Sequence, residues 1–106
     1  MQRGEVWWID FDPAQGSEIQ KRRPAVILTI NTINKARRTV VVVPLSTAAT
    51  PRPPIVTPVP SAGQNSVAVC DQLRAIDKSR ILKQIGVLST NDLMVLSSAV
   101  KIVLGL

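Results

Sequence analysis

The sequence lacks histidine entirely and has only one cysteine, Cys70, among its 106 residues. Without histidine there is no Ser-His-Asp triad, no Cys-His pair and no imidazole acid–base couple of the kind that many ribonucleases use. A single cysteine forms neither an intrachain disulfide nor a four-thiolate zinc site. We therefore expect a protein of a reducing, cytoplasmic compartment.

Long apolar runs are absent as well. No segment of about 18 residues is continuously apolar, and no apolar stretch of signal-peptide length follows the N-terminal charge. We expect no attachment to a membrane. The composition, 45% hydrophobic and 19% charged, is typical of a folded chain, and its length fits one domain over residues 1–106.

Acidic residues are scarce relative to basic ones. Thirteen Lys and Arg against seven Asp and Glu leave a net charge of +6. Such a surplus favours a polyanionic partner, because phosphates that pair with Lys and Arg release condensed counterions. Net charge alone does not distinguish a nucleic acid from an acidic protein.

Short β-branched runs dominate what is present. In residues 5–11 a period of two places Trp7, Ile9 and Phe11 on one face, which predicts a strand with that face in the core. The runs 25–30 and 39–43 are continuously apolar and predict strands buried on both faces. Three weaker strands are predicted at 66–70, at 81–88 and, as an edge strand within the proline-rich loop 51–60, at 55–57.

The connections carry turn and capping signals. Residues 12–23 are predicted to be a loop, residues 31–38 a hairpin connection, and residues 77–80 a turn or short helix capped by Asp77. Ser89 and Asp92 have the spacing of a helix start, and Gly105 is a stop signal. Between them one apolar stripe runs along Leu93, Leu96, Val100 and Val103. The sequence therefore predicts a mostly β fold, a small antiparallel β-barrel with a C-terminal helix.

Two polar segments border predicted strands. Basic residues Lys21, Arg22 and Arg23 run into a strand at Pro24, and Ser46-Thr47 follows the buried run at its exit. Strand ends hold side chains rigidly, so guanidinium and hydroxyl groups there can bind a phosphate; a solvated basic loop is the alternative.

Two further features have more than one interpretation. Asp10 and Asp12 are two residues apart, but a hard cation needs about six or more oxygen ligands, so an ordinary strand end is favoured over a metal site. Trp8 lies on the face opposite Trp7 and is expected either to pack in a protein interface, which we favour, or to stack on a base.

Several short motifs follow one another in a fixed order along the N-terminal part of the sequence. The N-terminal segment has Gly4-Glu5-Val6-Trp7, Ile9-Asp10-Phe11, Pro13 and Gly16-Ser17-Glu18, followed by Arg23-Pro24-Ala25-Val26-Ile27-Leu28. It resembles the N-terminal signature of the MazF/PemK toxin family. The resemblance continues through Val43–Thr47, Asp71–Asp77 and the helix start at Leu88-Ser89, and so covers nearly the whole chain.

This resemblance implies a fold and an activity. The fold is the small barrel shared with CcdB toxins, and the activity is that of a homodimeric endoribonuclease that cuts single-stranded RNA at short sequences without a metal or another cofactor. It also implies an acidic, MazE-like antitoxin as partner. In the family, catalysis falls on the positions of Arg23 and Ser46, with the adjacent Thr47 as the other hydroxyl. Ser17, Glu18, Gln72 and Arg74 match residues that line or face the RNA site, and Lys21 and Arg22 make the loop before Arg23 more basic.

Arginine and hydroxyl groups suit such a reaction. The 2′-hydroxyl of RNA is an internal nucleophile, so the protein has to align it with phosphorus and to stabilise the developing charge. We assign charge stabilisation to Arg23, and Glu18 is the only carboxylate between residues 16 and 24 that could serve as a base. Two other functions remain open: a CcdB-like protein that inhibits a topoisomerase without catalysis, and an RNA-binding module without activity.

Overall fold

Seven strands and two helices make up the fold in the computed structural model, which describes residues 1–11 and 21–106. The strands are β1 (Glu5–Asp10), β2 (Arg22–Ile27), β3 (Thr39–Ser46), β4 (Val56–Pro58), β5 (Val67–Val69), β6 (Arg74–Asp77) and β7 (Ile81–Val87). The helices are α1 (Asn31–Ala36) and α2 (Thr90–Leu104), and single 3₁₀ turns lie at Pro60–Ala62, Cys70–Gln72 and Lys78–Arg80. Within these ranges neither helix is long and apolar enough to cross a membrane.

The strands form an antiparallel sheet in the order β4-β5-β3-β2-β1-β7, with β6 also paired to β3. β3 is central because its eight residues are enough to pair with two short strands along one edge, β6 at its start and β5 at its end. The predicted mostly β, antiparallel architecture with a C-terminal helix is confirmed. Among the described strands, β4 and β7 end the sheet without pairing to each other, so the sheet is open.

Two apolar clusters lie on the two faces of this sheet. Val26 and Val43 belong to the cluster that packs against α2, whereas their neighbours Ile27 and Val42 belong to the cluster on the other face. Successive side chains of a strand point to opposite faces, so strands that are buried on both sides read as continuous apolar runs. The predicted two-sided burial is confirmed for residues 25–27 of the second run and for the third run, whereas Ile30 at the end of the second run is 55% exposed.

β1 shows the predicted alternation. Ile9 and Phe11 are fully buried in the cluster away from α2, and Trp7 packs against the same cluster while remaining partly exposed. Val6 faces the other way and is buried against α2. The predicted core face of this strand is confirmed.

α2 begins and ends where the capping signals predict. The Ser89 hydroxyl accepts a hydrogen bond from the Asp92 N–H at 3.1 Å, and Gly105 adopts the left-handed conformation at φ 72°. Leu96 and Val100 of the apolar stripe are buried, with Leu93 and Val103 packed against them. The helix is also held from the N-terminus, because the Arg3 guanidinium donates to Ser97 Oγ at 2.7 Å.

The connection between β2 and β3 contains a helix that was not predicted. It joins two antiparallel, directly paired strands, as the predicted hairpin connection does, but Asn31–Ala36 within it form helix α1. Asn34, the buried residue of this helix, donates its side-chain N–H to the Thr29 carbonyl at 2.7 Å. One inward-pointing amide anchors the turn, and a single polar residue gives no apolar periodicity from which a helix could be predicted.

Strand bounds differ from the predictions at three places. β2 begins at Arg22 and ends at Ile27, so Arg22 and Arg23 belong to a strand and not to the predicted loop; residues 12–20 of that loop lie outside the described residues. β3 continues through Pro44 to Ser46, and β6 was missed altogether. In each case cross-strand pairing sets the bounds, and such pairing overrides the local apolar pattern.

Candidate active site

Arg23 and Ser46 lie next to each other because β2 begins where β3 ends. The strands are antiparallel, and Ala25 faces Pro44 across them. Side chains two residues apart share a face, so the same register carried on by two residues sets Arg23 opposite Ser46. The cation and the hydroxyl that the sequence singles out are thus brought together by the pairing of two strands that are 12 residues apart at Ile27 and Thr39.

A pocket of about 250 Å³ opens at this point. Four of the residues predicted to be functional line it: Arg22, Arg23, Ser46 and Thr47. Among the described residues, four that were not predicted as site residues also line it: Trp8, Pro24, Leu45 and Ser66. The pocket therefore joins residues from β1, β2, the end of β3 and the segment that leads into β5.

The Ser46 hydroxyl is held in a defined position. Its oxygen accepts hydrogen bonds from the backbone N–H groups of Ala48 at 3.1 Å and Ala49 at 3.2 Å. Because both bonds use the oxygen as an acceptor, the hydroxyl proton remains available to donate to a ligand. Thr47 is exposed, and its hydroxyl forms no hydrogen bond within residues 1–11 and 21–106. One hydroxyl is therefore fixed and the other is free to rotate.

The electrostatic character of the pocket is positive. Arg22 and Arg23 are both exposed, and neither Asp nor Glu occurs among the described residues that line the pocket. A guanidinium group presents a planar set of donors that matches two oxygens of a phosphate. The pocket therefore suits a phosphate group, with two cations and a donating hydroxyl close to it.

Trp8 forms one side of the pocket. It lies opposite Pro24 in β2 and opposite Lys83 in β7, and 36% of its surface is exposed. Between the two interpretations given above, base stacking and protein interface, the position beside Arg22 and Arg23 favours contact with whatever the pocket binds.

Ser66 was missed by the sequence analysis. It is 92% buried, since its exposed fraction is 8%, yet it lines the pocket next to Ser46 and Thr47. It precedes Val67, which pairs with Ser46. Nothing in the local sequence shows that Ser46 pairs with a residue 21 positions away, so no signal for Ser66 was present before the sheet register was known.

Three other predicted residues lie outside the lining of this pocket. The Arg74 guanidinium stands 5.7 Å from the centre of the Phe11 ring, and the Phe11 N–H donates to the Lys21 carbonyl at 2.9 Å. Gln72 is in the 3₁₀ turn before β6. Arg74 and Lys21 are thus grouped around Phe11 at the end of β1. Ser17 and Glu18 lie outside the described residues.

Cys70 has the environment of a structural residue. It is fully buried, and its thiol donates to the Ala68 carbonyl at 3.7 Å. Burial raises the pKa of the Cys70 thiol, with a smaller opposing effect from its hydrogen bond with Thr57. A thiol with a raised pKa is a poor nucleophile, so the chemistry of the site does not depend on it.

The described residues contain no cluster of side chains suited to binding a metal ion. Within residues 1–11 and 21–106, no three Cys, Asp or Glu side chains are grouped so that they could hold a metal ion. Asp12, the second member of the pair considered above, lies outside these ranges.

Fold and pocket together define a class: a small antiparallel sheet protein with a cationic, hydroxyl-bearing pocket for a phosphate-containing ligand. Residues 2–104 match the sequence model of the PemK-like, MazF-like toxins of type II toxin–antitoxin systems. The match spans nearly the whole chain, and this protein belongs to that family.

Individual relatives agree with this assignment. The chain is 32% identical to the endoribonuclease MazF9 of Mycobacterium tuberculosis, covering 100% of this chain and 98% of that protein. It is 34% identical to the endoribonuclease MazF of Staphylococcus saprophyticus, covering 100% of this chain and 92% of the relative. Among solved structures, MazF from Deinococcus radiodurans superposes with a TM-score of 0.86 at 25% identity, over 100% of this chain and 97% of that one.

Proposed function

We propose that this protein is the toxin of a type II toxin–antitoxin module and acts as an endoribonuclease on single-stranded RNA, cleaving it without a metal ion. The observation that carries the proposal is the pocket that unites Arg23, Ser46 and Thr47. Relatives that match over its full length are named endoribonucleases, which favours RNA cleavage over inhibition of a topoisomerase and over RNA binding without activity. One domain over residues 1–106 carries this function.

The cleavage step uses the substrate's own nucleophile. The 2′-oxygen attacks the adjacent phosphorus, the bond from phosphorus to the 5′-oxygen breaks, and the products carry a 2′,3′-cyclic phosphate and a 5′-hydroxyl. The 2′-hydroxyl gives up a proton and the departing 5′-oxygen takes one up. Negative charge develops on the two nonbridging phosphate oxygens in between, and its stabilisation by fixed donors supplies much of the rate enhancement.

The pocket residues divide this work. Arg23 pairs with the nonbridging oxygens through its guanidinium group, and in a second role donates a proton to the 5′-oxygen. Ser46 donates its hydroxyl proton to the same phosphate, because its oxygen is already held by the N–H groups of Ala48 and Ala49. Thr47 adds a second, freely rotating hydroxyl. Glu18 is our candidate for the base that accepts the 2′ proton, since a guanidinium group keeps its proton at ordinary pH and is therefore a poor base.

Binding of the RNA strand extends beyond the phosphate that is cut. Arg22 lies in the pocket itself, while Lys21 and Arg74 supply positive charge around Phe11 at the end of β1. We assign backbone contacts to these three residues, and contacts to the neighbouring nucleotides to Gln72, Ser17 and Glu18.

The net charge of the chain and the solved complexes of its relatives both indicate an antitoxin as a protein partner. A net charge of +6 attracts an acidic segment of a MazE-like antitoxin to the same surface. MazE–MazF complexes have been solved for the Deinococcus radiodurans proteins, which share the fold of this chain. We propose that the protein is a homodimer in the cytoplasm and that the antitoxin competes with RNA for the pocket.

The proposal is tested by incubating the purified protein with a pool of diverse single-stranded RNAs in EDTA and mapping the ends of all fragments. We expect cuts at a short recurring sequence, with 2′,3′-cyclic phosphate on one side and 5′-hydroxyl on the other. A synthetic RNA with a single 2′-deoxy nucleotide at the mapped cut should remain intact. Uncut RNA throughout the pool, or cleavage of the 2′-deoxy substrate, would contradict the mechanism.

A further inference from the structure

One wall of the pocket is not used by the cleavage step. Trp8, Pro24, Leu45 and Ser66 line it together with the catalytic candidates. Pro24 is half-buried, Leu45 is almost fully buried, and Trp8 leaves 36% of its surface exposed. A phosphate needs donors and cations, so an apolar and aromatic wall of this kind points to another part of the ligand.

The sheet separates this wall from the phosphate-binding groups. Trp8 faces Pro24 across β1 and β2, which puts the two side chains on the face that packs against α2, as it does Leu45. Arg23 belongs to the opposite face, because it is two residues from Ala25 in the other apolar cluster. The pocket lies across the strand ends and therefore has two sides of different chemistry.

Ser66 provides a polar group on the apolar side. Its hydroxyl forms no hydrogen bond to any residue within 1–11 and 21–106, although 92% of its surface is buried. The indole N–H of Trp8 likewise has no partner within those ranges. Neither group is an enclosed, unpartnered atom, because among the described residues that description applies to Asn34 Oδ1. Both residues line the pocket, so each group can bond to a ligand that enters it.

We propose that this side of the pocket binds one unpaired nucleobase next to the scissile phosphate, stacked on Trp8 and hydrogen-bonded at its edge by Ser66. The inference rests on the proposed function for the identity of the ligand. A volume of about 250 Å³ is smaller than the roughly 300–1,000 Å³ of pockets for drug-sized ligands, and suits a single ring system. Aromatic side chains are the usual platforms for bases of single-stranded nucleic acids.

The same features argue against an apolar subunit interface at Trp8. Such an interface would leave the Ser66 hydroxyl and the two neighbouring arginines without polar partners, which is unfavourable. A nucleotide satisfies all of them at once, since its base presents hydrogen-bonding edges and its phosphate is anionic.

Tryptophan fluorescence tests base binding without requiring cleavage. The chain has two tryptophans and no tyrosine, so Trp7→Phe leaves Trp8 as the sole emitter and Trp8→Phe leaves Trp7. We expect uridine and adenosine 3′-monophosphates to quench the Trp7→Phe protein and to leave the Trp8→Phe protein unchanged. Inorganic phosphate should quench neither. Absence of quenching in the Trp7→Phe protein, or equal quenching by phosphate, overturns the proposal.

Cleavage of a base-deleted substrate tests the position of the pocket. Two RNAs spanning the mapped cut are compared, one intact and one with an abasic nucleotide beside the cut. On the intact RNA, Trp8→Ala and Ser66→Ala should each lower kcat/KM, the former by about tenfold or more. On the abasic RNA both should act like the parent within about twofold, because the base they contact is already missing.

The two proposals fail in different ways. If the parent cleaves RNA but Trp8→Ala lowers cleavage of intact and abasic RNA equally, the base pocket is wrong and the endoribonuclease stands. If Trp8→Ala instead dissociates the homodimer in sedimentation, with no difference between the two RNAs, Trp8 is an interface residue and the base pocket is again wrong. If the parent cleaves no RNA, the proposed endoribonuclease function is wrong, and the fluorescence titration still decides whether a base binds.

Trp8→Phe keeps an aromatic ring at this position, so it is the variant to use if Trp8→Ala does not fold.

Discussion

The two ends of β3 are both positively charged, yet only one of them forms a pocket with the features of an active site. Ser46 ends the strand beside Arg22 and Arg23. At the other end Thr39 pairs with Asp77, and five basic residues lie on the segments that meet there, a group that we call the basic corner: Lys35, Arg37, Arg38, Lys78 and Arg80. Ser46 is seven residue steps along the strand from Thr39, a distance of about 23 Å.

The difference lies in what accompanies the charge. In the basic corner, Lys78 donates its ammonium protons to the Asn34 carbonyl and its backbone N–H to the Arg38 carbonyl. Asp77 lies among these cations, and the hydrogen bond from Ser79, with a smaller contribution from Arg38 and Arg80, lowers the pKa of its carboxyl group. The pocket at Ser46 instead combines cations with a fixed hydroxyl and an exposed aromatic ring. Positive charge therefore marks both ends as attractive to RNA, whereas only the pocket can position a phosphate for reaction.

The largest expected effect comes from removing one arginine at each end. Arg23→Ala should lower kcat by about 100- to 1,000-fold, the usual loss when one donor to a developing oxyanion is deleted. Arg38→Ala removes the same charge from the basic corner and should leave kcat within about twofold. Both are measured with a short RNA that spans the mapped cut. Equal losses for the two variants would mean that Arg23 acts only through net charge.

A smaller difference is expected between the two hydroxyls of the pocket. Ser46→Ala removes the donor to the phosphate and leaves the Ala48 and Ala49 N–H groups without their acceptor, so kcat should fall by about ten- to 100-fold. Ser46→Thr restores the hydroxyl and should recover most of the activity. Thr47→Ala serves as the matched control and should lose less than Ser46→Ala. The reverse order would assign catalysis to Thr47.

Much of the fold follows from local signals in the sequence. The capping residues Ser89 and Gly105 set the bounds of α2, and alternation in β1 identifies Ile9 and Phe11 as core. These features depend on neighbours along the chain, so a sequence contains them. Helix α1 was missed because its anchor is one buried amide, Asn34, whose acceptor becomes visible only when the chain is folded.

The residues of the candidate site likewise fall into two groups, those that local sequence signals identify and those that only long-range pairing brings to the pocket. Arg23 and Ser46 were found because each stands at the end of an apolar run, and the strand register then explains why they meet. Ser66 was missed because it reaches the pocket through the pairing of β5 with β3, whose nearest paired residues, Ser46 and Val67, are 21 positions apart. Predictions from sequence therefore reached the residues at strand ends and missed those that long-range pairing adds.

A modest, salt-dependent effect is expected from the basic corner. Changing Lys35, Arg37 and Arg38 together to Gln should lower kcat/KM for long RNA a few-fold at low salt, because long-range attraction speeds the encounter. At 0.15 M salt the Debye length is about 8 Å, so the loss should shrink to less than about twofold. The positions of the cuts should not change. A loss that persists at high salt, or an altered cutting pattern, would show that the corner contacts RNA directly.

The smallest expected effect concerns folding at the basic corner and depends on pH. Asp77 caps the turn at Lys78–Arg80 by accepting from the Ser79 N–H at 2.9 Å, and that bond, with the nearby Arg38 and Arg80, lowers the pKa of the Asp77 carboxyl from its ordinary value of 3.8. A lowered folded-state pKa gives stability that is present above about pH 4 and is lost as the pH falls through the folded value.

Asp77→Asn keeps an acceptor but no charge, so its melting temperature at pH 7 should lie a few degrees or less below that of the parent. This difference in melting temperature should disappear under acid conditions. A gap of constant size at all pH values would assign the effect to the hydrogen bond and not to the charge. Because Asp77 is far from the pocket along β3, cleavage by this variant should match the parent, as the contrast between the two ends of the strand requires.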